Sequence, residues 1–197
     1  MKKKIFIIIF FLFGLSNQSN AYSNDPIQFI AEVVEKAKEI LSESNSQEFK
    51  TKKLSEVAME TVDIQGIGYY TLGNYRNLLN DEQKKEYSIL FEKYFLKSFT
   101  SRLTDYSDPK IDVLSSEVLN PKYTIVKSIL LATEKRPEVK IEWRVYTKNS
   151  DKPLIRDLII EGLSLARTQK EEFASVIESN NGDISKLFIA LEEFINK

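Results

Sequence analysis

Apolar and polar positions change period along this chain, and each change predicts a change of element. Asp25-Pro26 supplies an N-cap followed by Pro at the first helical position, and Ile27, Ile30, Val33, Val34, Ala37 and Leu41 then recur at three- and four-residue spacing. That pattern predicts an amphipathic helix. A Ser/Asn-rich break at 42–46 leads to a second helix over 47–60, with Phe49, Leu54, Val57 and Ala58 toward the core. Asp63 caps a short third helix containing Ile67, Tyr70 and Leu72, which Gly73 ends. Asn80 and Gln83 have the spacing of a capping box. After them Tyr87, Leu90, Phe91, Tyr94, Phe95, Phe99, Leu103 and Tyr106 hold one broad stripe. A continuous helix over 81–106 would be ~39 Å long at 1.5 Å per residue, enough to cross a whole sheet.

Beyond Asp108-Pro109 the period falls to two. Stretches 111–119 and 122–133 read as strands separated by Asn120-Pro121. Val139, Ile141, Trp143 and Val145 then alternate with Lys140, Glu142, Arg144 and Tyr146, one apolar and one polar face of a half-buried strand. A polar link at 148–152 closes on Pro153, and a further strand over 154–161 breaks at Gly162, which would permit a tight strand-to-helix turn. The helical period returns from Thr168, with Phe173, Val176 and Ile177 on one side. An Asn180-Asn181-Gly182 turn leads to a last helix over 183–194. The predicted fold is α+β: an antiparallel sheet of about four strands, partly wrapped by helices around an apolar pocket. No linker is long enough to divide the chain.

Residues 1–21 stand apart. Lys2, Lys3 and Lys4 precede an apolar run over 5–15, and Ser19-Asn20-Ala21 offers small residues at a cleavage site, so the segment reads as a secretory signal peptide. The run is short for a bilayer span, which needs ~20 residues. Removing 1–21 leaves 176 residues, 22–197, as a single domain. It takes away three Lys and no acid, so 28 basic against 29 acidic residues become 25 against 29, a net charge of −4. Nucleic acid is therefore a poor partner. The Lys-, Ile- and Asn-rich composition suits a bacterial periplasm.

The chain has no Cys and no His, which removes disulfides, thiol nucleophiles, His-based triads and the usual zinc ligands. Asp157 and Glu161, four residues apart on a strand, would face one side; a surface salt-bridge role and acid/base work are both compatible with them. Gly66-Ile67-Gly68 and Gly162 match no phosphate-loop pattern and read as turn or helix-end glycines. The Tyr/Phe stripe of the long helix fits either solid core or ligand contact.

Three segments carry a resemblance. The first is Tyr70-Thr71-Leu72-Gly73-Asn74-Tyr75-Arg76 with Leu79-Asn80-Asp81-Glu82-Gln83 and the aromatic helix after it. The second is Val139-Lys140-Ile141-Glu142-Trp143-Arg144-Val145. The third runs Ile155-Arg156-Asp157-Leu158-Ile159-Ile160-Glu161-Gly162-Leu163-Ser164-Leu165, with Thr168-Gln169-Lys170-Glu171-Glu172-Phe173. Together they resemble the MlaC family, also called the toluene-tolerance auxiliary family, of periplasmic phospholipid-binding proteins, over nearly all of 22–197. Arg76 stands where relatives usually carry an aromatic.

The resemblance implies a carrier and not an enzyme, with no cofactor. It would take phospholipid between an outer-membrane lipoprotein complex and an inner-membrane ABC transporter complex with its lipid-binding subunit, and so maintain outer-membrane lipid asymmetry. Acyl chains would lie between sheet and helices. Leu72, Tyr75, Phe91, Phe95, Phe99, Trp143, Val145, Leu158, Ile160 and Leu165 are the candidates to line that pocket, being apolar and on the sheet or on helices expected to cross it. No dense Arg/Lys cluster is evident along the chain, so little head-group preference is expected. Two rival readings are an enzyme using Asp157 or Glu161 in the apolar cavity, and a ligand-free interaction module with a filled core.

Overall fold

The computed structural model describes residues 22–104, 109–134, 136–148 and 152–197; the predicted signal peptide, Tyr106 and the middle of the 148–152 link lie outside them. Six α-helices and five strands stand among the described residues: α1 Pro26–Ser42, α2 Gln47–Thr61, α3 Ile64–Thr71, α4 Asp81–Leu103, β1 Ile111–Asn120, β2 Tyr123–Leu130, β3 Val139–Tyr146, β4 Leu154–Ile160, β5 Leu163–Ser164, α5 Leu165–Ser179 and α6 Ser185–Asn196. A 3-10 turn, Gly73–Asn77, joins α3 toward α4.

Local chemistry sets most helix starts. The side chains of Asp25, Ser46, Asp63, Asn80 and Ser164 each accept a hydrogen bond from a backbone N–H in the first turn of the helix that follows, satisfying donors that would otherwise be orphaned. Asn80 and Gln83 make both halves of the capping box. Because Ser164 is a cap, α5 begins at Leu165, three residues before the period alone indicates. Gly182 closes α5 by donating its N–H to the Ile177 carbonyl at 2.9 Å, with a positive φ at both Asn181 and Gly182.

The sheet is open and antiparallel, in the order β1-β2-β3-β4-β5. The four expected strands are present, and a two-residue fifth is added. Glu161 and Gly162, both at positive φ, turn β4 back so that Ile160 pairs with Leu163, the geometry of a two-residue hairpin. Gly162 therefore serves a strand-to-strand turn, and the helix follows two residues later. Two bulges interrupt β1, where Leu114 and Leu119 are passed over in the pairing with β2. A third interrupts β4: Arg144 pairs with Asp157 but Val145 pairs with Ile155, leaving Arg156 as the extra residue.

That third bulge decides what each face of the sheet carries. One face presents Val126, Trp143, Val145 and Ile155 to a core built with Phe29, Ile30, Val33, Leu54 and Val57 of α1 and α2. The other presents Tyr123, Arg144, Tyr146 and Asp157. A second core, inside the helices, gathers Ile64, Ile67, Leu72, Tyr87, Phe91, Phe173, Ile177 and Leu187 from α3 to α6. Val62, just after α2, packs against both cores and bridges in parallel to Ile155 at the edge of β4. Phe49, expected inward, sits in the first turn of α2 and is 40% exposed.

In the helical core α3 approaches α4 closely because Gly68 has no side chain. A Cβ there would stand 2.8 Å from Phe91 Cδ1, and Phe91 is sealed among Tyr87, Tyr94, Phe95 and Phe173 with nowhere to swing. Gly68→Ala should destabilise the fold by about 1–3 kcal/mol through overpacking, read as a lowered urea midpoint with unchanged slope. A neutral result would mean that the α3–α4 contact is looser than this geometry.

Candidate functional site

A cleft of about 470 Å³ opens where α3 and the 3-10 turn meet the polar face of the sheet. α3 contributes Gly66, Ile67, Tyr69 and Tyr70, and the β1–β2 end contributes Leu119, Asn120 and Tyr123. Ala166 closes it at the start of α5. Three arginines complete the lining: Arg76, Arg144 and Arg156.

Each arginine is held differently. The Arg156 Nε donates to Asp63 Oδ2 at 2.6 Å and its Nη2 pairs with the same carboxylate, while Nη1 donates to the Tyr123 hydroxyl at 3.0 Å. The guanidinium lies 4.1 Å from the centre of the Tyr146 ring, a cation–π stack. Partial burial works against its charge, but the Tyr123 hydroxyl and the Asp63 carboxylate outweigh that and raise its pKa above the ordinary guanidinium value. Arg144 donates from Nη1 to Asp157 Oδ2 at 3.2 Å, and its buried Nε has no hydrogen-bond partner among the described residues. Arg76 projects from the 3-10 turn, exposed, with no carboxylate in ion-pair range among the described residues.

Asp157 is no surface ion pair. Its side chain is 1% exposed, and its Oδ2 accepts from Ser164 Oγ at 2.6 Å as well as from Arg144, while Oδ1 accepts the Ala166 N–H at 3.0 Å. Glu161 is separated from it, exposed in the hairpin turn and accepting the Lys140 N–H. The pair expected to face one side does not, because β4 ends at Ile160 and Glu161 adopts a left-handed turn conformation.

The ten pocket candidates fall into separate places. Leu72 and Phe91 are buried in the helical core, with Tyr75 and Phe95 half-buried against it. Phe99 stacks on Phe95 at 5.8 Å. Val145 is buried in the sheet core and Trp143 packs half-buried beside it, its Nε1 donating to Ser128 Oγ at 2.8 Å. Leu158 sits directly opposite Trp143, and Ile160 opposite Ile141, both half-buried; Leu165 opens α5, also half-buried. None of the ten is among the residues that line the arginine cleft.

The MlaC family, whose description reads MlaC protein, matches residues 30–193. The chain belongs to the MlaC family. Among solved structures it is similar to the phospholipid-binding protein from Ralstonia solanacearum, determined in complex with a phospholipid. The identity is 18% and the TM-score 0.71, covering 85% of this chain and 94% of that one. At that identity the likeness establishes the shared fold. No curated protein sequence matches.

The residues missed by sequence reasoning in this MlaC-family chain are the arginines and tyrosines of the cleft. They lie on α3, on a 3-10 turn, on β2, on β3 and on the bulge of β4, and no periodicity joins them. One signal was present: Arg156-Asp157 puts two charges side by side within the otherwise apolar Leu154–Ile160, a break in alternation that a bulge explains.

Asp157→Ala would strand three donors, two of them buried, at the junction of β3, β5 and α5. The expected loss is about 3 kcal/mol in chemical denaturation, toward the low end for a broken buried pair because Arg144 keeps some solvent access. A loss below about 1 kcal/mol would show that the junction holds without the carboxylate.

Proposed function

We propose that this protein is a periplasmic phospholipid carrier, moving lipid between an outer-membrane lipoprotein complex and an inner-membrane ABC transporter complex and so sustaining outer-membrane lipid asymmetry. Membership of the MlaC family across residues 30–193 carries the reading. The shared fold with a protein solved around a phospholipid supports it. So do the lysine-led apolar segment at the N-terminus, read as an export signal, and the absence, among the described residues, of any helix long and apolar enough to cross a membrane.

The energetics set what such a carrier must do. A phospholipid with ~30 acyl methylenes would bring ~24 kcal/mol of unfavourable contact into water at ~0.8 kcal/mol each. Nearly all of it must be covered in transit. The membrane covers the chains equally well, so hydrophobicity gives little net drive for extraction, and direction comes from the complexes at either end.

In this reading the acyl chains run along large apolar side chains that the fold leaves half-open: Tyr75, Phe95 and Phe99 on the helical side, Trp143, Leu158 and Ile160 on one face of the sheet, and Leu165 where α5 begins. Leu72, Phe91 and Val145 are sealed, and chains reach them only by parting the cores. The chemistry of the carboxylates supports a binding role over catalysis. Both oxygens of Asp157 are already filled with hydrogen bonds, and Glu161 lies exposed on a turn, away from any apolar enclosure.

Native mass spectrometry of the protein purified from periplasm without detergent tests the reading directly. The expected result is a reproducible added mass near that of a phospholipid, whose fragments give the number of chains. Phe99→Asp, which places a carboxylate beside the proposed chains, should cut lipid occupancy by about tenfold or more, since burying an unpaired charge is heavily penalised. A clean unliganded mass in the unsubstituted protein, or occupancy indifferent to Phe99→Asp, would turn the reading toward a binding module without lipid or a different chain path.

A further inference from the structure

We infer that the arginine cleft and its exposed rim are a docking site for a protein partner, one that presents a short segment with a carboxylate side chain flanked by apolar ones. The carrier reading above leaves the docking surface unassigned, and the inference stands on the cleft alone. Arg and Lys form no dense cluster along the sequence, but folding gathers three arginines. Arg76 comes from the 3-10 turn, Arg144 from β3 and Arg156 from the β4 bulge, and all three line one space of about 470 Å³. None of the half-open apolar residues of the proposed chain path lines it, so its guest is not the guest of that path.

The charge selects an anion. Three guanidinium groups face two carboxylates, Asp63 and Asp157, each already bound to one arginine. The chain without residues 1–21 is net negative, 25 basic against 29 acidic residues. The cleft is therefore a cationic spot on an acidic molecule, and a negatively charged partner is steered to it and away from the rest. Arg156 is clamped by Asp63, the Tyr123 hydroxyl and the Tyr146 ring, and Arg144 by Asp157. Both are held in orientation before any partner arrives, with N–H donors left over from the five that a guanidinium offers. Arg76 is exposed and has no carboxylate in ion-pair range among the described residues, so it supplies the free charge. A carboxylate accepts guanidinium donors in pairs.

The rim decides between a small anion and a protein. Tyr69, Tyr70 and Leu119 line the cleft and are exposed, and Val118, next to Leu119, is 75% exposed. A lone phosphate or carboxylate would fill the floor and leave that apolar surface wet. A protein segment covers both, its acid on the arginines and its apolar neighbours on the Tyr and Leu side chains. Tyr and Arg are residues on which protein interfaces concentrate their binding energy, and grouped arginines are a recurrent device for reading acidic motifs. A bilayer surface fits less well, because the anionic lipids that suit the arginines repel the acidic molecule around them.

Panning a random-peptide phage library against the full protein tests the inference. Enriched sequences should share an Asp or Glu next to an apolar residue, and a synthetic peptide of that consensus should bind in calorimetry with an affinity that falls as salt rises. Replacing its acid by the amide should weaken binding by about tenfold or more, and so should Arg76→Glu. Arg76→Gln, which removes the charge without reversing it, should give a smaller loss in the same direction. Leu119→Ser trims the rim alone and should weaken binding by about threefold. Lys36→Glu, the same charge change on α1 behind the opposite face of the sheet, should leave it as it was. Arg76 and Leu119 are exposed, so their variants should fold, which thermal melts verify.

No enrichment, enrichment without acids, or peptide binding indifferent to both Arg76 variants would overturn the inference. Inorganic phosphate bound as tightly as the selected peptide, and indifferent to Leu119→Ser, would give the cleft to small anions and overturn the protein assignment. A dimer of this chain that Arg76→Glu abolishes would give the site to a second copy and overturn it as well. None of these outcomes depends on whether the protein carries lipid.

Discussion

Asp157 holds β3, β5 and the first turn of α5 through one buried carboxylate: Arg144 from β3, the Ser164 hydroxyl from β5 and the Ala166 N–H from α5 all donate to it. Much of the polar architecture depends on that convergence. A carboxylate this deep is tolerated only because each oxygen is satisfied. Its satisfaction fixes Ser164, whose hydroxyl also caps α5 by accepting the Arg167 N–H at 3.1 Å, so the end of the sheet and the start of the helix are set by one group. The bulge at Arg156 is what makes this compatible with an apolar opposite face. It returns Ile155 to the core beside Val145 and leaves Arg156 and Asp157 on the polar side.

The interior is divided. One core lies between α1, α2 and the sheet, the other among α3 to α6, and Val62 packs against both. Protein cores are as dense as organic crystals, so opening a chain-shaped space within either would sacrifice contacts on every side. Opening along a boundary between two cores disturbs one seam, and the half-buried Phe95, Phe99, Trp143 and Leu158 already lack the complete enclosure of Phe91 or Val145. A division of this kind suits a protein that must admit a flexible apolar guest and still fold without one.

Much of the fold was legible because its signals are local. Asp25-Pro26, Ser46, Asp63 and Asn80 with Gln83 mark helix starts by chemistry that acts within one turn. The alternation of Val139–Tyr146 marks a strand by geometry alone. The misreadings share a cause of the opposite kind. Phe49 is apolar and in phase with the α2 pattern, but tertiary packing leaves it at the surface. Leu163-Ser164 is too short to show a period and becomes a strand only because β4 lies beside it. Asp157 fitted a surface ion pair because the adjacent charges Arg156-Asp157, the one trace of the bulge in the sequence, do not tell which of the two the fold buries. The family resemblance was readable, and it implied a phospholipid as ligand; the arginine cleft was not, since its residues come from three separate stretches, 66–76, 119–123 and 144–166, that meet only where α3 packs beside β4.

β1 is ten residues long, solvent-exposed over most of its length, and among the described strands pairs with β2 alone. A straight strand in that position is a template onto which a second chain can zip through its unpaired amides, the first step of uncontrolled aggregation. The bulges at Leu114 and Leu119 break the even spacing of those amides and twist the margin away from flatness. Asp112, flanking that interrupted run, and Glu117 within it, add charges that another copy would have to face. The same irregularity that makes β1 look imperfect as a strand therefore acts as a guard on solubility, which matters for a molecule whose proposed work is to expose and re-cover greasy surface far from any chaperone of the cytosol.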